Sequence, residues 1–148
     1  MSNRTKINNF IKAQLKTING GVSPFDPSYT FKSKLHDNVH RGLKFIDEIN
    51  DFPAVYISTR KEKRIYQTLG LTEAEVPVVL RCYTKGDETR ELTNNLALDI
   101  EHVLYNMNTY SDLSLKIQDI TIQGMDVDSG LMQPYGMIEV FLLIQFEI

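Results

Sequence analysis

The sequence predicts an α+β fold: a mostly antiparallel β-sheet with flanking helices, in the order α-(β)-α-β-β-β-α-β-β, as a single domain over residues 1–148. Three features predict it. The closing segment Met137–Ile148 (MIEVFLLIQFEI) alternates with a period of two and carries apolar residues on both sides, as a long strand does. Leu92, Leu96, Ile100, Val103, Leu104 and Met107 recur at helical spacing and form one apolar stripe. Between the helical patterns, AVYIS at Ala54–Ser58 and PVVLRCYT at Pro77–Thr84 read as strands.

In chain order, Ile7, Phe10, Ile11, Leu15 and Ile18 recur at helical spacing among Lys6, Lys12 and Lys16. Asn19-Gly20-Gly21 supplies a stop, because glycine accepts the left-handed backbone that ends helices. Pro24 and Pro27 make VSPFDPSYT an extended surface loop, and Thr30–Leu35 is a candidate short strand. Val39, Leu43, Ile46 and Ile49 suggest a second helix, with Asp37 as its N-cap and Pro53 as its limit. After Ala54–Ser58, the run Arg60-Lys61-Glu62-Lys63-Arg64 reads as a charged hairpin tip before Ile65–Leu69. In Pro77–Thr84, Val78, Leu80 and Cys82 alternate against Val79, Arg81 and Tyr83. Lys85-Gly86-Asp87 then turns the chain into the long helix, with Asp99 and Glu101 off its apolar stripe.

Leu113–Val127 is the next strand. Its apolar phase changes between Leu113, Leu115 and Ile117 and the pair Ile120 and Ile122, which predicts a β-bulge near Gln118-Asp119. Asp128–Gly136 reads as a long, mobile hairpin loop. In the last strand Ile138, Val140, Leu142, Ile144, Phe146 and Ile148 form one row with no polar interruption. The opposite row, Met137, Glu139, Phe141, Leu143, Gln145 and Glu147, is half apolar. One apolar row is enough to seat a strand on a core. The second, mixed row has the character of a face shared with a neighbouring subunit or covered by a helix.

Composition narrows the function classes. At 148 residues, 42% hydrophobic and 24% charged, the chain can bury an ordinary core without staples. A formal net charge of −3 argues against general affinity for a polyanion. The single cysteine, Cys82, excludes an intrachain disulfide framework and a cysteine-based zinc site, and is compatible with synthesis in a reducing cytoplasm. The first residues lack the apolar core of a signal peptide, and no run approaches the roughly 18 apolar residues of a membrane span, so no membrane partner is expected.

Catalytic motifs are thin. His36-Asp37-Asn38-Val39-His40 superficially resembles the H-E-x-x-H zinc motif, but it straddles the expected helix start, where Asp37 and Asn38 serve better as caps. Asp126, Asp128 and Gly130 open like a calcium loop, yet position twelve is Met137 where a glutamate is required, so a hairpin turn explains them better. Glu73, Glu75, Asp87, Glu88 and Glu91 suit a turn and a first helical turn better than a nuclease metal site. No serine elbow, phosphate-cradling glycine loop or dinucleotide fingerprint is present. The expectation is a non-enzymatic protein with no catalytic, cofactor-binding or metal residues. A small metal-dependent enzyme using His36 and His40 is the remote alternative.

Three stretches carry a resemblance. They are Phe45-Ile46-Asp47-Glu48-Ile49-Asn50-Asp51-Phe52-Pro53 followed by AVYIS, Leu98-Asp99-Ile100-Glu101-His102-Val103-Leu104-Tyr105, and Pro134-Tyr135-Gly136-Met137-Ile138-Glu139-Val140. Together they resemble the tail-terminator or tail-completion proteins of tailed bacteriophages, across most of the chain from Ile7 to Ile148. The resemblance implies a virion protein, made in the host cytoplasm, that forms a ring, usually a hexamer, at the head-proximal end of the tail tube. That ring stops tube polymerisation and docks to the head connector or neck protein. Its partners would be its own copies, the tail-tube protein and the connector. DNA would pass transiently through its lumen without specific binding, which an acidic subunit suits. Met137, Glu139, Phe141 and Leu143 are then candidate subunit contacts. Arg60, Lys61, Lys63 and Arg64, with Leu131, Gln133 and Tyr135, are candidate axial contacts. A head-closure or neck adaptor, or a tail-tube-like virion protein, is the alternative within the same particle.

Overall fold

A computed structural model describes residues 2–42, 44–66, 70, 72–106, 116–132 and 134–147. It contains helix α1 (Asn3–Leu15), strands β1 (Val39–Arg41), β2 (Ala54–Thr59), β3 (Lys63–Tyr66) and β4 (Thr72–Lys85), helix α2 (Thr89–Asn106), and strands β5 (Lys116–Met132) and β6 (Tyr135–Glu147). A 3-10 turn at Ile46–Glu48 precedes β2. The sheet runs β1-β2-β4-β6-β5, with β3 pairing β4 beside β2. Among the described residues only the β1–β2 pair is parallel. The class is the expected α+β, with a mostly antiparallel sheet and helices on it.

Strand β6 is the centre. It pairs along its length with β4 on one side and β5 on the other. Its inner row, Ile138, Val140, Leu142, Ile144 and Phe146, is buried in one core with Ile7, Phe10, Ile11 and Leu15 of α1 and Leu96, Ile100, Val103 and Leu104 of α2. At roughly 2 kcal/mol per fully buried side chain, these five contribute about 10 kcal/mol, as much as the whole net stability of a typical domain. A slip of one residue would turn this row outward, so the register is strongly specified. The expected bulge is present, as a register shift between Ile117 and Asp119, and a second lies between Ile122 and Gly124. Between them the bulges keep Ile117, Ile120, Ile122 and Met125 on the core side.

Several elements differ from the sequence expectation. Helix α1 is capped by Ser2, whose Oγ accepts from Thr5 N at 3.2 Å, and it ends at Leu15. Ile18, beyond that end, is still fully buried, and its carbonyl accepts from Leu35 N and His36 N. Thr30–Leu35 makes only isolated bridges, Val22 with Thr30 and Asn19 with Lys34. The second helix is absent: its segment forms β1 and the 3-10 turn. Val39 is buried against Val55, Gly42 takes φ 89°, and the Asn38 amide donates to the carbonyls of Asp51 and Pro53. Tertiary pairing and a left-handed glycine thus override a weak helical spacing. The Phe52–Pro53 bond is cis.

Strand β4 begins at Thr72, ahead of the expected Pro77. Pro77 sits inside it because its carbonyl accepts from Arg60 N at 2.8 Å, so its missing N–H faces the place where β2 gives way to β3. The long loop at Asp128–Gly136 is replaced by strands, with β5 reaching Met132 and β6 starting at Tyr135.

Asp99 is the largest departure. Expected off the stripe of α2, it is 0% exposed. Its carboxylate accepts from Tyr29 Oη at 2.8 Å, Ser33 N at 2.7 Å and Lys32 N at 3.0 Å. One turn on, His102 stacks on Tyr29 with ring centroids 3.9 Å apart and shares a 2.7 Å hydrogen bond with Ser23 Oγ. Phe25 and Phe31 meet the same imidazole edge-on. Burial, helped by the Asp99 hydrogen bond, pushes the Tyr29 phenol above its ordinary pKa. These contacts hold the irregular segment 23–33 on α2.

At the other end of α2, Gly136 lets β6 approach the helix start. A Cβ there would overlap Thr93 Oγ1 and lie 2.5 Å from Thr84 Oγ1. Those hydroxyls already share a buried 2.7 Å hydrogen bond.

Two stability predictions follow from this packing. Asp99→Ala removes the acceptor of the Lys32 and Ser33 N–H groups and of the Tyr29 hydroxyl and is expected to cost roughly 3 kcal/mol, read as a lower midpoint in urea unfolding. A midpoint equal to wild type would show that water replaces the carboxylate. Gly136→Ala is expected to cost about 1–3 kcal/mol by overpacking, checked by thermal unfolding, where an unchanged Tm would refute the close approach.

Candidate assembly surface

The helices cover one face of the sheet. The opposite face is made of rows that cross several strands: Asp128, Met137, Tyr83 and Ala54; Asp126, Glu139, Arg81 and Tyr56; Gly124, Phe141, Val79 and Ser58; Asp119, Gln145, Glu75 and Lys63. Thr121, Leu143 and Pro77 form a shorter row between the last two.

The chain's own residues cover one end of this face. Ile46, Ile49 and Phe52 pack there with Ala54, Tyr56, Tyr83 and Met137. Of the four candidate subunit contacts, Met137 therefore belongs to a small internal cluster. Glu139 lies 3.5 Å from Arg81 Nε, a partly buried ion pair. Phe141 and Leu143 are half-buried and belong to neither apolar cluster. Among the described residues no α-helix lies on this face, and the 3-10 turn at Ile46–Glu48 reaches only its Met137 end. Pairing adds the half-buried Pro77 and Arg81 to this surface, with Val79 buried between them. The signal that could have found them is their parity in PVVLRCYT, once β4 is set beside β6.

The candidate axial residues fall in two places. At the β5–β6 turn, Pro134 O accepts from Gly86 N at 3.0 Å and Thr89 Oγ1 at 2.9 Å, which ties the turn to the start of α2. Lys85 Nζ lies 5.3 Å from the centre of the Tyr135 ring, which also meets Phe52. Leu131 lies in β5, its side chain outside the described part, and Gln133 is outside the described residues. Lys32, Lys34 and Lys85 line a cleft of about 200 Å³ nearby, with Phe52, Pro53 and Leu92.

The run Arg60–Arg64 is not a hairpin tip. Strands β2 and β3 both lie antiparallel to β4, at Val78–Tyr83 and Thr72–Glu75, so the run is the junction between them along one sheet edge. Arg60, Lys61, Lys63 and Arg64 are exposed there, and the Arg4 guanidinium of α1 donates to Arg60 O. Lys63 stands opposite Glu75, and Arg64 pairs with Glu62 at 3.6 Å.

The residues weighed for catalysis are scattered. His36 lies in a turn at φ 45° and His40 on β1, where it shares a 2.7 Å hydrogen bond with Asn38 Oδ1. No helix brings the two imidazoles onto one face, and Asp37 and Asn38 have no helix to cap. Asp126 and Asp128 lie in β5 and pair across to Glu139 and Met137, so they form neither a calcium loop nor a turn. Glu73 and Glu75 are strand residues, whereas Glu91 sits in the first turn of α2 as expected. Complete burial pushes the Cys82 thiol above its ordinary pKa, away from the reactive thiolate. Among the described residues no group of three or more His, Cys, Asp or Glu gathers to hold a metal ion, and no helix is long and apolar enough to cross a membrane.

Comparison with known proteins places this chain beside phage tail proteins. A family model described as Bacteriophage Tail Tube Terminator Protein matches residues 1–148. The tail tube terminator protein p142 of Escherichia phage T5 is 25% identical over 158 residues, covering 99% of this chain and 95% of that protein. Among solved structures, a chain from the virion of a native gene transfer agent particle superposes with a TM-score of 0.48 at 9% identity, covering 75% of this chain and 79% of that one.

Proposed function

The chain belongs to the bacteriophage tail tube terminator family, and from that premise we propose that it closes the head-proximal end of a tail tube as a ring of identical subunits, a hexamer, and docks to the head connector. Its role is that of a structural protein of the phage tail. The family match along the whole chain carries this reading. The work it describes is interface formation, with no chemical step and no cofactor.

The geometry is suited to such work. A closed ring needs two different surfaces on each subunit, whose repeated contact returns to the start. The open sheet face, with Phe141 and Leu143 at its middle, is a rigid surface for one of them, because β6 is held on both sides by neighbouring strands. The β5–β6 turn, fastened to α2 through Pro134, suits an axial contact with the tube or connector. Leu131 in β5 and Tyr135 in β6 lie beside that turn. The formal net charge of −3 suits a lumen that lets DNA pass without gripping it.

Added to polymerising tail tubes, the protein is expected to stop growth and leave capped tubes of reduced, narrow length, as measured by electron microscopy. Unchanged lengths would refute termination and favour a neck adaptor. Particles made without it are expected to show separate filled heads and overlong or irregular tails. A Phe141→Glu, Leu143→Glu variant is expected to keep its fold, since both side chains lie outside the core clusters, but to lose capping. Full capping by this variant would remove the open face from the interface.

A further inference from the structure

The charges of this chain are divided along its length. Residues 1–66 hold 12 basic and 6 acidic residues, a formal +6, whereas residues 67–148 hold 4 basic and 13 acidic, a formal −9. The sheet order places β1, β2 and β3 toward one edge and β5 at the other, with β4 and β6 between, and α1 packs on β1 and β2. Two rows of the open face begin with an acid on β5 and reach a base on β3 or β4. One runs from Asp119 on β5 through Gln145 and Glu75 to Lys63 on β3, and another from Asp126 on β5 through Glu139 to Arg81 on β4.

Internal pairing takes up only part of this charge. Arg81 meets Glu139, Arg64 meets Glu62, and Lys16 meets Asp37 at 3.7 Å. Gln145 donates to Glu75, and Thr121 to Asp119. Asp119 and Asp126 remain exposed on one side, and Arg60, Lys61 and Lys63 on the other. Between the acids and β4 lie the half-buried Phe141 and Leu143.

We propose that the acid-rimmed β5 side of the open face receives the basic β2–β3 edge of a second copy of this chain, unlike surface to unlike surface around the ring; this rests on the ring reading above. Long basic side chains suit such a seat, because their aliphatic stems cover apolar surface while their heads reach the carboxylates. In this geometry the stems of Lys61 and Lys63 lie over Phe141 and Leu143 of the neighbour, and their ammonium groups meet Asp119 and Asp126. The contact is made by side chains and not by adding a strand, since the three register shifts in β5 disturb its edge as a template. A second copy accounts for both surfaces at once. Duplex DNA would use the basic edge alone and would be opposed by the acid rows.

The test uses two full-length charge-reversal variants, one Asp119→Lys, Asp126→Lys and one Lys61→Glu, Lys63→Glu, each checked for fold by circular dichroism. Ring formation is measured by sedimentation and by counting capped tube ends. Each variant alone is expected to assemble on the order of tenfold less readily than wild type, or worse, because like charges then face each other. An equimolar mixture is expected to recover, since each reversed surface meets its reversed counterpart and an even-numbered ring can alternate them. Higher salt is expected to weaken wild-type assembly. Normal assembly of either variant alone, or no gain on mixing, overturns the proposal. So does loss of duplex DNA binding by the Lys61→Glu, Lys63→Glu variant with self-assembly intact, which makes that edge a nucleic-acid surface. Wild type capping tubes while both variants cap equally well removes only the edge pairing. Wild type that neither assembles nor caps removes the terminator reading and this inference together.

Discussion

Everything in the structure depends on the double pairing of β6. Because β4 and β5 hold it on both sides, its alternation is converted without slack into two surfaces. One row is sealed under two helices, and the other is held half-buried on the opposite face. A strand on a sheet edge could twist or slip to hide Phe141 and Leu143, but a central strand in fixed register cannot. The half-apolar outer row is therefore a consequence of where β6 lies as much as of its composition.

Around that centre the chain uses polar contacts where regular structure is missing. The segment between α1 and β1 has no strand ladder to satisfy its backbone, so Asp99 accepts from Lys32 N and Ser33 N, and Ile18 O accepts from Leu35 N and His36 N. A buried carboxylate is tolerated only with such a set of donors. The stacked His102 and Tyr29 then cover the site with aromatic surface. Helix α2 both roofs the core and anchors the β5–β6 turn through Thr89 and Pro134. A change in helix position would move the turn.

The contrast between readable and unreadable elements is a contrast in range. The bulge near Gln118-Asp119 could be read because a change of apolar parity is local and has one economical cause. The long helix could be read because its stripe persists through several turns, although Leu92, at its start, is 41% exposed. The segment from Asp37 to Ile49 misled because three or four apolar residues at helical spacing are weak information. A single parallel pairing, Val39 with Val55, outweighs them. The charged run at Arg60–Arg64 looked like a tip because a charge cluster between two strands usually is one. Its true place needed the knowledge that β2 and β3 share one partner.

By itself the sequence determined the class, the apolar inner row of the last strand, the core faces of both helices and the absence of a recognisable catalytic motif. These are set by periodicity and residue type, which act within a few turns or pleats. Only the tertiary structure decided that Asp99 lies inside, that Met137 joins a small internal cluster while Phe141 and Leu143 belong to neither apolar cluster, and that Asp119 and Asp126 lie on the opposite edge strand from Lys63. Those facts depend on which distant strands lie side by side, and that is settled by the packing of the whole core and not by any one segment.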